Sequence, residues 1–328
     1  MLENLPFANW ADDSLRAVVD VGSNSIILVI AKKVNGYWMI VFESTRVTGL
    51  GKGTKNSGLL NDEAIYTSLN ALREFREIAV SHGVKSLESF GTMALRIARN
   101  TDEFLNKALK QGTPVTVISG DFEARLGLDA VANDSKFNFN NVFSIVDPGG
   151  HSTEIVTAQK HFHQPAGAIF AEESLEIIQQ MSVPVGALGL RENILSNPSP
   201  SISDRFKASN YLDDMLEERL VQKSHGPVVV LGATGTNLVS IREKLTEWRP
   251  EIVHGAYLDY EEISRSVGWM SDLNDEGRSQ IVGIEPGREK TLHIGLIILE
   301  RSLYALKAEG CLVSVKGWRH AMLDHGSI

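Results

Sequence analysis

Apolar and polar residues along the chain alternate between short continuous runs and longer stretches with helical spacing. The most informative pattern occurs twice. Val18-Val19 lead into Asp20-Val21-Gly22-Ser23-Asn24-Ser25, and Ile26 to Ile30 follow; Ile145-Val146 lead into Asp147-Pro148-Gly149-Gly150-His151-Ser152, and Thr153 to Val156 follow. Each copy reads as an apolar strand, an aspartate, a glycine-containing turn, a serine and a second apolar strand, which predicts a β-hairpin with a carboxylate at the end of its first strand. A pattern repeated once per half of the chain predicts a duplicated domain.

Other segments fill in both halves. Tyr37 to Glu43 reads as a third strand, and Asp62 to Ala79 has helical spacing through Ala64, Ile65, Leu69, Leu72 and Phe75. Val84 to Phe90 reads as a strand, Thr92 to Asn100 as a loop and helix, Thr101 to Lys110 as a helix capped by Thr101, Val115 to Ser119 as a strand and Asp121 to Ala132 as a helix. Asn133 to Asn141 is a polar connector and a candidate domain boundary. Glu172 to Gln180, Asp204 to Lys223, Tyr260 to Ser271 and Gly295 to Glu309 read as helices, Val228 to Leu231 and Leu312 to Val315 as strands, and Trp318 to Leu323 as a terminal helix. Strands alternating with helices predict an α/β layered fold.

Length and composition narrow the class. The chain has 328 residues, of which 43% are apolar and 22% charged, enough for two domains with cores and too apolar for disorder. A net charge of -9 argues against broad binding to nucleic acid. A polyanion would need a local basic cleft, a metal ion or backbone N–H groups. The single cysteine, Cys311, allows no intramolecular disulfide and fits a reducing compartment. Met1 to Asp13 lacks the pattern of a signal peptide and Ile26 to Ala31 is too short to span a membrane, so no membrane association and a cytoplasmic location are expected.

The candidate chemistry lies in three turns that each follow an apolar strand: Gly22 to Ser25, Gly149 to Ser152, and Gly232-Ala233-Thr234-Gly235-Thr236. Glycine lets backbone N–H groups approach an anion, and Ser or Thr hydroxyls add donors. One such turn alone reads first as a plain tight turn; three, two of them preceded by aspartate, point to a nucleotide or a phosphoanhydride chain. Asp20 and Asp147 have the oxygen chemistry of Mg²⁺ ligands, and the same residues could cap their own turns. His161 and His163 read as surface strand residues, Trp269 and Trp318 as packing residues, and Lys307, Lys316, Arg319 and His320 as a solvated end rather than a polyanion path.

Ordered motifs across nearly the whole chain resemble the exopolyphosphatase / guanosine pentaphosphate phosphatase (Ppx/GppA) family of the actin-like ATPase superfold. Asp20 to Ser25 is similar to its D-x-G-S-N-S signature, Gly49-Leu50-Gly51-Lys52-Gly53 to its L-G-x-G loop, and Gly91 to Asn100 to G-T-x-A-x-R-x-A-x-N. Ile118-Ser119-Gly120-Asp121-Phe122-Glu123-Ala124-Arg125 is similar to I-S-G-x-E-E-A-R, Asp147 to Glu154 to D-I-G-G-G-S-T-E, and Pro184-Val185-Gly186-Ala187 to the P-L-G-A turn. Gly232 to Thr236 resembles the third loop; Arg288 and Gly295 fit the R-A-D-V-I-x-x-G segment in part; Val313 to Leu323 resembles the closing V-S-D-x-G-L-R-x-G-x-L.

The resemblance implies two similar actin-like (ribonuclease H-like) α/β domains with a cleft between them. These would be residues 1–128, joined by the C-terminal helix 317–328, and residues 129–316, with no C-terminal histidine-aspartate domain. It implies water attack on a terminal phosphoanhydride of polyphosphate or of guanosine penta- or tetraphosphate. Glu123 would be the general base and Arg96 the clamp on phosphoryl oxygens. Mg²⁺ (or Mn²⁺) would be held by Asp20, Asp147 and Glu154. Phosphate would be bound by Gly22, Ser23, Asn24, Ser25, Gly149, Gly150, His151, Ser152, Gly232, Thr234, Gly235 and Thr236. It also implies a homodimer.

Six positions depart from the pattern. Pro148 removes an N–H from the second turn, His151 replaces its third glycine, and Phe122 replaces the first of two glutamates. Lys290 replaces an acidic residue, Val315 an aspartate and Ala321 a glycine. Two other readings stay open: a non-catalytic alarmone or polyphosphate sensor on the same fold, motivated by Pro148, His151 and Phe122, and an ATP-dependent sugar or acid kinase, against which the Glu123 segment stands.

Overall fold

The computed structural model describes residues 9–139, 141–163, 172–220 and 226–325. Residues 1–8, Asn140 of the connector, the side chain of His163, residues 221–223 of the expected helix and residues 326–328 lie outside the described residues. Contacts divide the chain into two compact units: Met1–Leu126, Gly149–His151 and Trp318–Ile328 in one, Gly127–Pro148 and Ser152–Gly317 in the other.

The first unit is built on a five-stranded sheet. Its strands are β1 (Leu15–Val21), β2 (Ser25–Val34), β3 (Tyr37–Val47), β4 (Ser86–Gly91) and β5 (Val115–Val117), in the order β3-β2-β1-β4-β5. β1, β2 and β3 run antiparallel, while β1, β4 and β5 are parallel. The helix Asp62–Ser81 buries Ile65, Leu69, Leu72 and Phe75 in one cluster with Val19, Val21, Leu28 and Ile30 of the sheet, and Ala64 is buried as well.

The second unit carries β6 (Val142–Pro148), β7 (Thr153–His163), β8 (Glu172–Val183), β9 (Val228–Val230), β10 (Tyr257–Asp259) and β11 (Gly310–Val313), in the order β10-β11-β9-β6-β7-β8. Without the antiparallel edge strand β10, the order β8-β7-β6-β9-β11 repeats that of the first sheet, with the same two antiparallel and two parallel neighbour pairs. The duplication seen in the sequence is therefore a duplication of topology, and each unit has the expected actin-like α/β layout. It reaches the level of single residues. β1 and β6 share one burial sequence of seven positions, and in both the sixth, a partly exposed one, is the aspartate, Asp20 or Asp147.

The core of the second unit is the helix Leu292–Leu306, in which Ile294, Leu296, Ile297, Leu299, Leu303 and Leu306 are all fully buried. A helix apolar over most of its circumference belongs inside a domain; Glu300 and Arg301 are partly exposed and Tyr304 is exposed. It begins three residues before the Gly295 expected from the sequence and stops at Lys307, whose φ of 54° is left-handed.

Four expectations are corrected. Glu172 to Gln180 is not a helix but the body of β8, paired with β7. Glu, Gln and Leu favour helix, and a bulge that leaves Ile178 opposite no β7 residue breaks the alternation a strand would show, so pairing overrides propensity. Thr101 is not the cap of its helix. Asn100 is, while the Thr101 hydroxyl donates to the carbonyls of Leu95 (2.7 Å) and Ala98 (2.9 Å). The polar connector is pinned inside the second unit rather than dividing the two. Burial works to raise the Asp134 carboxyl, but the His254 hydrogen bond (3.1 Å), the Lys136 N–H and the Lys316 ammonium outweigh it and hold it well below the usual range. Trp269 is 40% exposed, whereas Trp318 is buried against the edge of Phe90 at 6.4 Å.

The C-terminal segment belongs to the first unit through one buried cation. Arg16 on β1 donates Nη1 to the carbonyls of Met322 and Leu323, both at 2.8 Å, and to that of His325, while Nη2 pairs with Glu88 of β4. Arg319 pairs with Glu43 and is not a free end, and His320 is buried. No helix among the described residues is long and apolar enough to cross a membrane.

Candidate active site

The first turn is held by its own backbone. Gly22 N–H donates to Ser25 O at 3.0 Å, and a methyl group at Gly22 would lie 2.8 Å from that same oxygen, so only glycine closes the turn. Ser23 and Ser25 are buried, and Asn24 and Asp20 are partly exposed. The turn's carbonyls are engaged by the next loop. Asn24 O accepts from Thr48 and Gly49 N–H (3.1 and 3.0 Å), and Ser23 O accepts from Gly51 N–H (2.8 Å).

Strand ends position the catalytic candidates. Thr92 N–H bonds Val21 O at the end of β1, and the short helix Met93–Ile97 that follows carries Arg96. Ser119 caps the helix Gly120–Ala132. Its hydroxyl accepts from Phe122 N–H (3.1 Å) and its carbonyl from Glu123 N–H (3.0 Å), which puts Glu123 in the first turn. Arg96 Nη1 then donates to Glu123 Oε2 at 3.0 Å and to Ile118 O at 2.9 Å. Both side chains are largely buried, 17% and 11% exposed. Arg96 Nη2 is buried and has no hydrogen-bond partner among the described residues. The arginine is therefore first a holder of the glutamate, with one N–H group in reserve for an oxyanion.

Phe122, which replaces a glutamate of the pattern, is buried at 5% exposure with its ring edge-on to His325 at 6.1 Å. It fills the core of the unit. In the second turn Gly149 and Gly150 are partly exposed, while His151 is fully buried and grouped with the first unit. Burial, and then the nearby Lys55, push its imidazole down to about 4.

In the second unit Asp147 is the cross-strand partner of Glu154. Glu154 is buried, and its Oε1 accepts from the Ser182 hydroxyl at 2.8 Å. Gly232 approaches the aspartate so closely that a methyl group there would lie 2.8 Å from Asp147 Oδ1. Its φ of 75° with ψ near 180° is a conformation essentially confined to glycine. The third turn's other residues divide by role. Gly235 lets the helix Ala233–Arg242 pack on Val230, Thr234 lies against Gly295, and the Thr236 hydroxyl turns back toward the carbonyl of Ala233 (3.4 Å). Gly232 and the N–H groups beyond it, at a helix start, are what remains for an anion.

The carboxylates Asp20, Asp147 and Glu154 offer oxygen donors only, the chemistry of a hard divalent cation that keeps several waters. Among the described residues no group of three His, Cys, Asp or Glu side chains is placed to hold a metal ion. Cations read as a loose end are engaged: Lys316 with Asp134 and Arg319 with Glu43. His161 pairs with Glu176 at 2.8 Å across β7 and β8. Lys290 is exposed, Val315 half-buried and Ala321 buried.

The sequence pattern of the Ppx/GppA phosphatase family matches residues 29–326. The chain belongs to the Ppx/GppA phosphatase family. It is 26% identical to the bifunctional 3-dehydroquinate synthase/phosphatase of Fusobacterium nucleatum over 90% of this chain, and it spans 44% of that relative's length. It is 24% identical to exopolyphosphatase 2 of Mycobacterium tuberculosis over 94% of this chain and 96% of that one. The crystal structure of the Aquifex aeolicus Ppx/GppA family member superposes with a TM-score of 0.74 at 27% identity, covering 94% and 96% of the two chains. Within this Ppx/GppA chain, Ser119, Ser182 and Ile118 support the candidate residues without standing out in the sequence. Ile118 and Ser119 lie in the motif around Glu123, yet the capping role of Ser119 becomes visible only once the helix start is known.

Proposed function

We propose that the protein hydrolyses a terminal phosphoanhydride, releasing orthophosphate from inorganic polyphosphate, from guanosine pentaphosphate (pppGpp), or from both. The observation that carries this reading is the Arg96–Glu123 pair, a largely buried carboxylate fixed in the first turn of a helix by a guanidinium. Glu123 accepts a proton from water as the water oxygen bonds to the terminal phosphorus. The anhydride P–O bond breaks, and the shortened chain leaves with the electron pair. General base catalysis of this kind contributes about 10²–10⁴-fold. Arg96 keeps Glu123 oriented and offers Nη2 to a phosphoryl oxygen. Backbone N–H groups and serines of the turns at Gly22–Ser25, Gly149–Ser152 and Gly232 bind the phosphates.

Asp20, Asp147 and Glu154 have the donors to hold Mg²⁺ (or Mn²⁺), which when bound neutralises charge on the phosphates. Family membership and the exopolyphosphatase relative support the substrate class. A cytoplasmic homodimer that binds no nucleic acid is part of the same proposal. Its supports are the family resemblance, the net charge of -9 and the single cysteine, Cys311, whose thiol burial pushes up.

The test is orthophosphate release from tripolyphosphate, long polyphosphate, pppGpp and ATP, each with Mg²⁺ and with EDTA. Metal-dependent release that is lost in Glu123→Gln supports the reading, and the rank order names the substrate. Tight binding without release in folded wild-type protein would overturn it in favour of a sensor.

A further inference from the structure

His151 stands where the family pattern has a glycine, and its surroundings give it a definite place. The side chain is fully buried, and neither ring nitrogen has a hydrogen-bond partner among the described residues. A methyl group built on Gly51 would lie 2.4 Å from Cε1 and 2.6 Å from Nδ1 of the ring, and 2.9 Å from Cβ of Ser23. The imidazole therefore lies directly on the Gly51 backbone, beside the first phosphate turn. Gly51 itself is tied to that turn by its N–H bond to Ser23 O at 2.8 Å. An imidazole carries at least one N–H donor in any state. Burying that donor without a partner is costly, and such groups in native proteins call for an explanation, a ligand among them.

We propose that His151 is a specificity-determining residue of this phosphate site: a ring N–H is presented to a phosphoryl oxygen of the bound phosphate chain, and Gly51 is glycine because the ring occupies the space a side chain would need. The proposal rests on reading the Gly22–Ser25 turn as a phosphate-binding turn. Burial and Lys55 keep the ring uncharged in the working range. The contact is then a neutral donor acting beside cations, which fixes the orientation of a phosphoryl group more than it adds attraction.

The experiment labels the histidine ring nitrogens with ¹⁵N and titrates the protein with tripolyphosphate, pppGpp and orthophosphate. A Glu123→Gln background slows turnover during the titration, and the His151→Gln spectrum assigns the signal. The expected result is a saturable shift of one His151 nitrogen with the ring remaining neutral. Tripolyphosphate binding should weaken about ten- to a hundred-fold in His151→Ala and be largely recovered in His151→Gln, which keeps an N–H donor. Gly51→Ala should reproduce the His151→Ala loss and add little to it in the double variant. Thermal unfolding of each variant checks that the fold is intact. Ring nitrogens that do not move with any of the three anions, an imidazolium signature in the complex, or a folded His151→Ala with wild-type affinity would each overturn the proposal. The titration is independent of catalysis: wild-type protein that releases no phosphate but shifts the His151 nitrogen sinks the hydrolase reading and leaves this one standing.

Discussion

Arg96 Nη1 donates to Glu123 Oε2 at 3.0 Å while also donating to the Ile118 carbonyl at 2.9 Å, so the carboxylate is aimed by a guanidinium that is itself anchored to the backbone. Glu123→Gln keeps the shape and an oxygen for Arg96 but cannot take a proton. It is expected to lower phosphate release by about 10²–10⁴-fold with the melting temperature nearly unchanged. Arg96→Lys should lower kcat more than it raises KM, since an ammonium lacks the planar fork that holds Glu123 and reserves Nη2. A Glu123→Gln enzyme with full activity would remove that residue from the mechanism.

Gly232 and Asp147 make a second coupled pair, since a side chain at Gly232 would reach to within 2.8 Å of Asp147 Oδ1. Gly232→Ala meets both that contact and a backbone conformation of φ 75°. The backbone strain is expected to cost about 1–3 kcal/mol, read as a lower urea midpoint. The displaced carboxylate should raise the Mg²⁺ concentration needed for half-maximal activity. A variant with the wild-type midpoint and Mg²⁺ requirement would show that the close approach is incidental.

The parts of the fold that were legible in the sequence are those where local and tertiary preferences agree. The hairpins around Asp20 and Asp147 combine apolar strands with turns that need glycine, and both the strands and their register follow. β8 was hidden because its residues favour helix and a bulge at Ile178 destroys its period. In the site, Arg96 and Glu123 were visible only through motifs. A glutamate at a helix start is otherwise a solvated residue favoured by the helix dipole. His151 was visible as a departure, but its seat on Gly51 was not, because two residues a hundred positions apart carry no local signal of contact. Phe122, which as a sequence change looked like a lost carboxylate, is a core residue beside His325.

Two buried histidines make stability fall with acid. His151 is pushed down to about 4 by burial and Lys55, and His293 to about 2 by burial and by Arg278 and Arg191, against an ordinary value of 6.5. Between those values the unfolded chain binds protons that the folded protein refuses. Stability from these groups is thus complete above about pH 7 and lost as pH falls, through 4 for His151 and on toward 2 for His293. Each contributes a slope of about 1.4 kcal/mol per pH unit in its window. Urea midpoints measured from pH 7 to pH 4.5 should fall accordingly, and His293→Leu should flatten the curve by about one proton. A curve unchanged in that variant would show that His293 is protonated in the folded protein.

The C-terminal segment depends on Arg16. This guanidinium is 1% exposed and is shared among Glu88 and the carbonyls of Met322, Leu323 and His325. Replacing it by methionine fills similar volume but leaves a mostly buried carboxylate and three carbonyls without their cation. Breaking one side of a buried pair costs about 3–5 kcal/mol. Glu88→Gln should cost less, since an amide oxygen still accepts from Arg16. Because Trp318, Met322 and Leu323 are buried through the same segment, Arg16→Met should also raise the rate of hydrogen exchange in residues 318–325 ahead of global unfolding. Equal protection in the two proteins would mean that apolar packing alone fixes the segment and that the buried arginine contributes only to the strand pair β1–β4.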